Sequence, residues 1–234
     1  MRLNKYIAGC GICSRRKAEQ LISDGHITIN GEIIEKLATT VDPDNDEVRY
    51  RGVVISLSCN FEYYILNKPE GVISSCGDTH DRKTVLDIVK SDSRLYPVGR
   101  LDFDSSGLII LTNDGEVTNH ITHPSFEIEK EYVAVVKGDI SEQNLQKLRD
   151  GVYIDGKLTS KAKVTIVKVQ RYTTTLRFII HEGRNRQIRN MVKSIGSHVY
   201  ELERVRLGNL SLDGLKKGDY RKLDEKEIAY IKSI

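Results

Sequence analysis

Between Gly99 and Gly115 the chain reads GRLDFDSSGLIILTNDG, and that order of residues restricts the backbone severely. Leu108-Ile109-Ile110-Leu111 is an uninterrupted apolar run of strand length and reads as a buried strand. The Asp-Ser-Ser-Gly segment ahead of it is turn-forming, because Asp and Ser bond their own backbone and Gly107 permits a positive φ. Asp102 therefore stands at a corner feeding the strand, two residues from Arg100. A carboxylate held there suits chemistry, and it is equally what an ordinary surface turn contains. The rest of the chain must decide.

With 234 residues the chain has material for one domain or two. Hydrophobic residues make up 39% and charged residues 29%, the balance of a globular chain with a real core. No apolar run approaches the ~20 residues of a membrane helix. MRLNKYIAGCG lacks the apolar centre of a signal peptide, so the expectation is a cytoplasmic protein with no membrane partner. The formal net charge is only +3, so any nucleic-acid role rests on where the charge sits. Four cysteines occur, and Cys10 and Cys13 form a C-x-x-C. A zinc site needs a second ligand pair, which neither Cys59 nor Cys76 supplies, and the thioredoxin-like context of a redox motif is absent. The cysteines read as small buried apolar residues in a reducing compartment, and neither metal nor cofactor is expected.

The sequence splits near residue 60, giving residues 1–60 and 61–234. In the first part Leu3, Tyr6 and Ile7 have helical spacing until Gly9 and Gly11 interrupt it. Ser14 is placed to cap a second helix carrying Ala18, Leu21 and Ile22, which Gly25 ends. Ile27 to Ile29 alternates as a strand, Asn30-Gly31 is a strong hairpin signal, and Asp42 to Glu47 is an acidic turn before a weak strand at Val53 to Ile55. Arg2, Lys5, Arg15, Arg16 and Lys17 face only Glu19 within the first twenty residues. That cluster suits either a phosphate grip or a solvated helix face. The whole stretch RLNKYIAGCGICSRRKAEQLISDGHITINGEII closely resembles the S4 RNA-binding module, with its R-L-x-K/D start, S-R-R-x-A helix opening and strand ending in I-N-G. The resemblance implies binding of structured RNA through the helix start and hairpin, here Arg2, Lys5, Ser14, Arg15, Arg16, Lys17 and Asn30.

In the second part, strands are expected at Tyr63–Leu66, Leu108–Leu111, Ile128–Val136, Val164–Val169, Thr174–Ile180 and Val199–Val205. Helices are expected at Thr84–Val89, from the Ser141 cap to Leu148, at Asn185–Ser194, and after Asp224, whose partner Glu227 completes a capping box. Their irregular alternation with hairpin-linked strands predicts an α+β fold, a mixed and mainly antiparallel sheet flanked by helices. Neither a dinucleotide-binding G-x-G-x-x-G nor a P-loop is present.

Three places are candidates to converge on one pocket: Asp102, Tyr132 in Lys130-Glu131-Tyr132-Val133, and the segment His181 to Arg189. Tyr132 alone reads equally as a packing tyrosine. Ile188, Met191, Val192 and Ile195 form a buried helical stripe, with Arg186, Arg189 and Lys193 on its flank. Arg189 borders the stripe, and a half-buried guanidinium needs an acceptor. Asp102 is the expected one, a pairing that favours the charged carboxylate, although a solvated helix face fits the same spacing. Arg204-Val205-Arg206 fits either RNA contact or a solvent-facing edge strand.

NKPEG, GRLDFDSSGLIILTNDG, EKEYVAVVKG and HEGRNRQIRNM, in that order behind an S4 module, resemble the ribosomal-RNA pseudouridine synthases of the RsuA/RluB/RluF type over essentially the whole chain. The resemblance implies a catalytic aspartate at Asp102, an active-site tyrosine at Tyr132 and a pairing basic residue at Arg189. It implies cleavage of the uridine N1–C1′ bond, rotation of the base and reattachment through C5. The carboxylate would attack C1′ or take a proton from the 2′ position, and the sequence leaves both routes open. Lys68, Arg100, Arg184 and Arg186 would line the path of the extruded base. The implied partner is ribosomal RNA, 23S in preference to 16S, or a ribosome assembly intermediate, bound by a monomer. A catalytically silent assembly factor is the alternative, and would be expected to have lost one of the three residues. A carboxylate-based hydrolase would need a second acid across the scissile bond, for which neither Asp104 nor Asp114 has support.

Overall fold

The computed structural model describes residues 1–57, 60–78 and 80–234, so Cys59 lies outside the described residues. Two compact units are present. The first comprises Met1–Glu62 with Asp92–Arg94 and Asn113–Gly115, and the second comprises Tyr63–Ser91, Leu95–Thr112 and Glu116–Ile234.

In the first unit, α1 (Leu3–Gly9) and α2 (Arg15–Ser23) pack on a sheet of β1 (Ile27–Ile29), β2 (Glu32–Ile33), β3 (Val48–Tyr50) and β4 (Val53–Val54), ordered β2-β1-β3-β4. Helical spacing brings Leu3, Ile7, Ala18 and Ile22 together over Ile27 and Val48. The Ser14 hydroxyl accepts from the Lys17 amide at 3.2 Å, starting α2 as the spacing predicts. Asn30 and Gly31, at φ 51° and 88°, form the hairpin turn. Cys10 and Cys13 are half-buried against this core, and burial pushes the Cys10 thiol up to about 11. Cys76 is exposed, contrary to the expectation of burial.

The second unit is built on a nine-stranded sheet. Its elements in chain order are β5 (Tyr63–Lys68), β6 (Tyr96–Val98), β7 (Ser106–Thr112), α3 (Gly115–Thr122), β8 (Lys130–Lys137), α4 (Glu142–Asp150), the small hairpin β9 (Tyr153–Ile154) and β10 (Lys157–Leu158), β11 (Lys163–Val169), β12 (Thr173–Ile180), α5 (Gln187–Ser194), β13 (Val199–Leu207), β14 (Leu210–Ser211), β15 (Tyr220–Lys222) and α6 (Glu225–Ser233). The sheet runs β11-β12-β8-β13-β7-β5-β15, with β14 on β13 and β6 on β7. Every pairing is antiparallel except β13 with β7.

The apolar run 108–111 is explained by cover on both faces. Leu108 and Ile110 join Tyr63 and Ile65 in one cluster, while Ile109 and Leu111 join Tyr64 and Leu66 in another. A third cluster lies over β8, β12 and the start of β13, where Ile188, Met191 and Val192 of α5 are seated.

Several boundaries differ from those expected. The helix expected at 84–89 is a single 3₁₀ turn, Val85–Asp87, closed by reciprocal bonds between Thr84 and Asp87. The helix expected from Asn185 starts at Gln187, because Arg186 adopts a left-handed conformation at φ 49°. The β13 strand runs on to Leu207 and lies between β8 and β7, so it is no edge strand.

Candidate active site

A cavity of about 630 Å³ opens within the second unit. Its floor is one face of the sheet. Tyr132 on β8 lies opposite Arg204 on β13, and opposite residues on paired strands share a face. Lys130 and Leu202 lie two residues away on their strands and point the same way, so all four line the cavity. One wall is the turn carrying Arg100, Asp102 and Ser105, and the other is the chain from His181 to Ile188 that leads into α5.

The turn is held where it is by a parallel seam. Glu203 pairs with Ser106 and Arg204 with Gly107. At Gly107 the two backbones come so close that a Cβ would stand 2.3 Å from the Arg204 carbonyl oxygen, and φ is 112°. Glycine alone satisfies both conditions, since it lacks the Cβ that would collide and tolerates the positive φ. The Asp102 carbonyl then accepts from the Ser105 amide at 3.1 Å, closing the corner.

Asp102 and Tyr132 meet in this cavity, as expected. Asp102 is partly exposed, and Tyr132 is half-buried between two core clusters. The expected pairing of Arg189 with Asp102 is replaced by a different arrangement. Arg186 brings Nη1 to 3.9 Å from Asp102 Oδ2 and grips Asp104 with two bonds of 2.9 and 3.0 Å. Arg189 lies below, its side chain only 10% exposed, with Nε 3.4 Å from Asp104 Oδ2. It donates to the carbonyls of Asp104 and Val199 and to the Ser105 hydroxyl. The left-handed backbone at Arg186 is the physical reason: it throws that side chain back over the turn, leaving Arg189 to brace the turn from beneath. Hydrogen bonds from Arg186 hold the Asp104 carboxyl below its usual range, and burial pulls the Arg189 guanidinium below its own. A non-glycine residue held at positive φ costs on the order of 1–3 kcal/mol, and such strain gathers where side-chain placement matters.

Of the other expected contacts, Arg100, Arg184 and Arg186 line the cavity. Lys68 does not: it is fully buried, with Nζ donating to the carbonyls of Pro69 at 3.0 Å and Val72 at 2.8 Å. An ammonium enclosed in that way cannot reach a phosphate, which corrects its assignment to the RNA path. Burial pushes it down to about 8. Arg206 is tied to Glu129 and Glu131. In the first unit Arg2, Lys5, Arg15, Arg16 and Lys17 are exposed, while Asn30 donates to Asp46 and accepts from the Glu47 amide.

The sequence does not reveal the place of three residues in the cavity or its turn. Asp104 sits two residues beyond Asp102, and its proximity to α5 exists only in the folded chain. Lys130 sits two residues before Tyr132, a strand spacing that would have placed it on the same face. Arg204, expected on an edge strand or at an RNA contact, is instead buried, because β13 lies inside the sheet.

The chain matches the family model described as RNA pseudouridylate synthase over residues 62–194, and the S4 domain model over residues 1–48. Ribosomal large subunit pseudouridine synthase B of Bacillus subtilis (strain 168) is 41% identical over 236 residues, covering 100% of this chain and 96% of that protein. The dual-specificity RNA pseudouridine synthase RluF of Escherichia coli (strain K12) is 38% identical over 232 residues, covering 97% of this chain and 77% of the relative. A crystal structure of a pseudouridylate synthase superposes with a TM-score of 0.72 at 29% identity, covering 99% of both chains.

Proposed function

Since this chain belongs to the RNA pseudouridylate synthase family and carries an S4 domain, we propose that it isomerises a uridine of large-subunit (23S) ribosomal RNA to pseudouridine, using Asp102 and Tyr132 as its catalytic residues. The observation that carries the residue assignment is their meeting in one cavity, with a guanidinium 3.9 Å from the carboxylate.

The target base leaves its stack, at a cost of a few kcal/mol, and enters between the Asp102 turn and the sheet. Asp102 faces the sugar, where it attacks C1′ or removes the 2′ proton. The Tyr132 ring stacks on the uracil, and its hydroxyl assists loss of the C5 proton once C5 has joined C1′. Arg186 supplies the positive charge beside Asp102, and Arg189 acts as a positioning residue by fixing Asp104 and Ser105. Arg100 meets phosphates at the mouth, whereas the Arg184 guanidinium is held by Glu182 and the carbonyls of Lys157 and Leu158; the exposed basic residues of the S4 unit add contacts that select the RNA region. The substrate is the ribosomal RNA or an assembly intermediate containing it. No helix among the described residues is long and apolar enough to cross a membrane, in keeping with work in the cytoplasm.

Asp102→Asn is expected to stay folded and bind ribosomal RNA while tritium release from 5-tritiated uridine falls to background. Release at the wild-type rate would overturn the assignment of Asp102. Mapping pseudouridines in both ribosomal RNAs, with and without this gene, tests the subunit.

A further inference from the structure

Among the described residues, no carboxylate pairs with either of the two cations on the cavity floor, Lys130 and Arg204. Lys130 Nζ donates to the carbonyls of Ile128 at 2.9 Å and His181 at 3.2 Å. An ammonium has three hydrogens, so one remains for a ligand. Arg204 is 4% exposed, and its Nε donates to the Leu108 carbonyl at 2.8 Å. Among the described residues, its Nη2 is buried with no hydrogen-bond partner. A buried donor left unmade is costly, and two neighbouring like charges without a counter-ion add to that cost. Burial and then Arg204 push the Lys130 ammonium down to about 8. The other charged and titratable groups around the cavity are Asp102, Arg100, Arg184, Arg186, His181, Glu182 and Tyr132. Asp102 lies by Arg186, and Glu182 is committed to Ser160, Arg184 and Gln187.

We propose that Lys130 and Arg204 form a cationic floor that holds the uracil ring while it is detached from the sugar and carries negative charge. The inference rests on uridine isomerisation at Asp102 and names further residues for that reaction. When the N1–C1′ bond breaks, its electron pair goes to N1, and the charge spreads over the ring oxygens O2 and O4. On one route the Asp102 oxygen bonds C1′; on the other Asp102 has taken the 2′ proton. Both routes release the same uracil anion. The charge is consumed when C5 bonds C1′: on the first route the Asp102 oxygen leaves C1′ with its electron pair, and on the second Asp102 returns its proton to C2′. The C5 proton is then lost and N1 takes up a proton, so atoms and electrons balance without a co-reactant. The geometry favours the base over a phosphate. Asp102 must face the sugar from the wall, Tyr132 offers its ring to the base from the floor, and Lys130 and Arg204 flank that ring on the same face.

The test uses the full chain with a ribosomal RNA fragment containing the target uridine, measuring single-turnover tritium release and RNA affinity separately. Lys130→Met is expected to slow release on the order of 10²-fold, the usual effect of removing one donor to developing charge, with affinity little changed. Wild-type release is expected to fall as pH rises through about 8, where Lys130 loses its charge. Lys130→Arg restores most of the rate and abolishes that fall, which a merely structural role would not do. Arg204→Lys is expected to slow release without weakening RNA binding. Weakened binding at an unchanged rate would overturn the proposal by assigning the floor to a phosphate. Wild-type rates in Lys130→Met, or an unaltered pH profile in Lys130→Arg, would also overturn it. If Lys130→Met does not fold, the Lys130→Arg profile decides. No release by the wild-type protein would instead refute the isomerisation reading.

Discussion

Gly107→Ala tests whether the parallel seam positions the active-site turn. The substitution meets two independent obstacles. At φ 112° an alanine carries backbone strain on the order of 1–3 kcal/mol. Its Cβ would also lie 2.3, 2.5 and 2.8 Å from the carbonyl oxygen, amide nitrogen and carbonyl carbon of Arg204. Those are backbone atoms and cannot rotate aside, so β7 and β13 must separate. The seam has only two paired positions, Glu203 with Ser106 and Arg204 with Gly107. Each buried backbone group left unpaired costs about 1–3 kcal/mol, so losing both pairings adds roughly 2–6 kcal/mol. The total is several kcal/mol, a large share of the ~5–15 kcal/mol that holds a typical domain together. Urea unfolding followed by circular dichroism is expected to show a loss exceeding about 3 kcal/mol, together with lost tritium release, because Asp102 and Ser105 lie on the turn that leads into the displaced strand. Gly77→Ala, where an added Cβ meets nothing within 4 Å, is the control and should stay within about 0.5 kcal/mol of wild type. A loss below about 1 kcal/mol for Gly107→Ala would refute the reasoning.

The left-handed Arg186 predicts a separation of stability from activity: Arg186→Gly should be more stable than Arg186→Ala by about 1 kcal/mol, while both release tritium slowly. Equal stabilities would show that the backbone there is unstrained. Lys68 is charged and buried below pH 8, whereas an unfolded lysine stays protonated to ~10.4. The wild-type chain should therefore gain stability relative to Lys68→Met as pH rises from about 8 to ~10.4, read as a wild-type urea midpoint that climbs against the variant's; a constant difference would argue against the buried ammonium. Replacing Arg15, Arg16 and Lys17 together by alanine should weaken RNA binding and flatten the plot of log affinity against log salt, by roughly 0.7–0.9 for each phosphate no longer neutralised. An unchanged slope would remove these residues from the RNA interface.

What could be read from the sequence was local. Ser14, Asp224 and Glu227 mark helix starts because their side chains bond amides three residues away, and Asn30-Gly31 turns a hairpin because both residues tolerate positive φ. The stripe Ile188, Met191 and Val192 announces a buried helix face by spacing alone. The motifs around Asp102, Tyr132 and Arg189 brought the family into view, and the chain order of those motifs carried the enzymatic reading. Tertiary structure decided everything that depends on which strand lies beside which. Arg204 is buried because β13 is interior to the sheet, and Lys68 is sealed because β5 is covered on both faces. Arg186, not Arg189, approaches Asp102 because one residue ahead of α5 bends left-handed. Pairings between residues a hundred positions apart leave no periodic trace in either segment, so the charge arrangement of the cavity exists only once the sheet has closed.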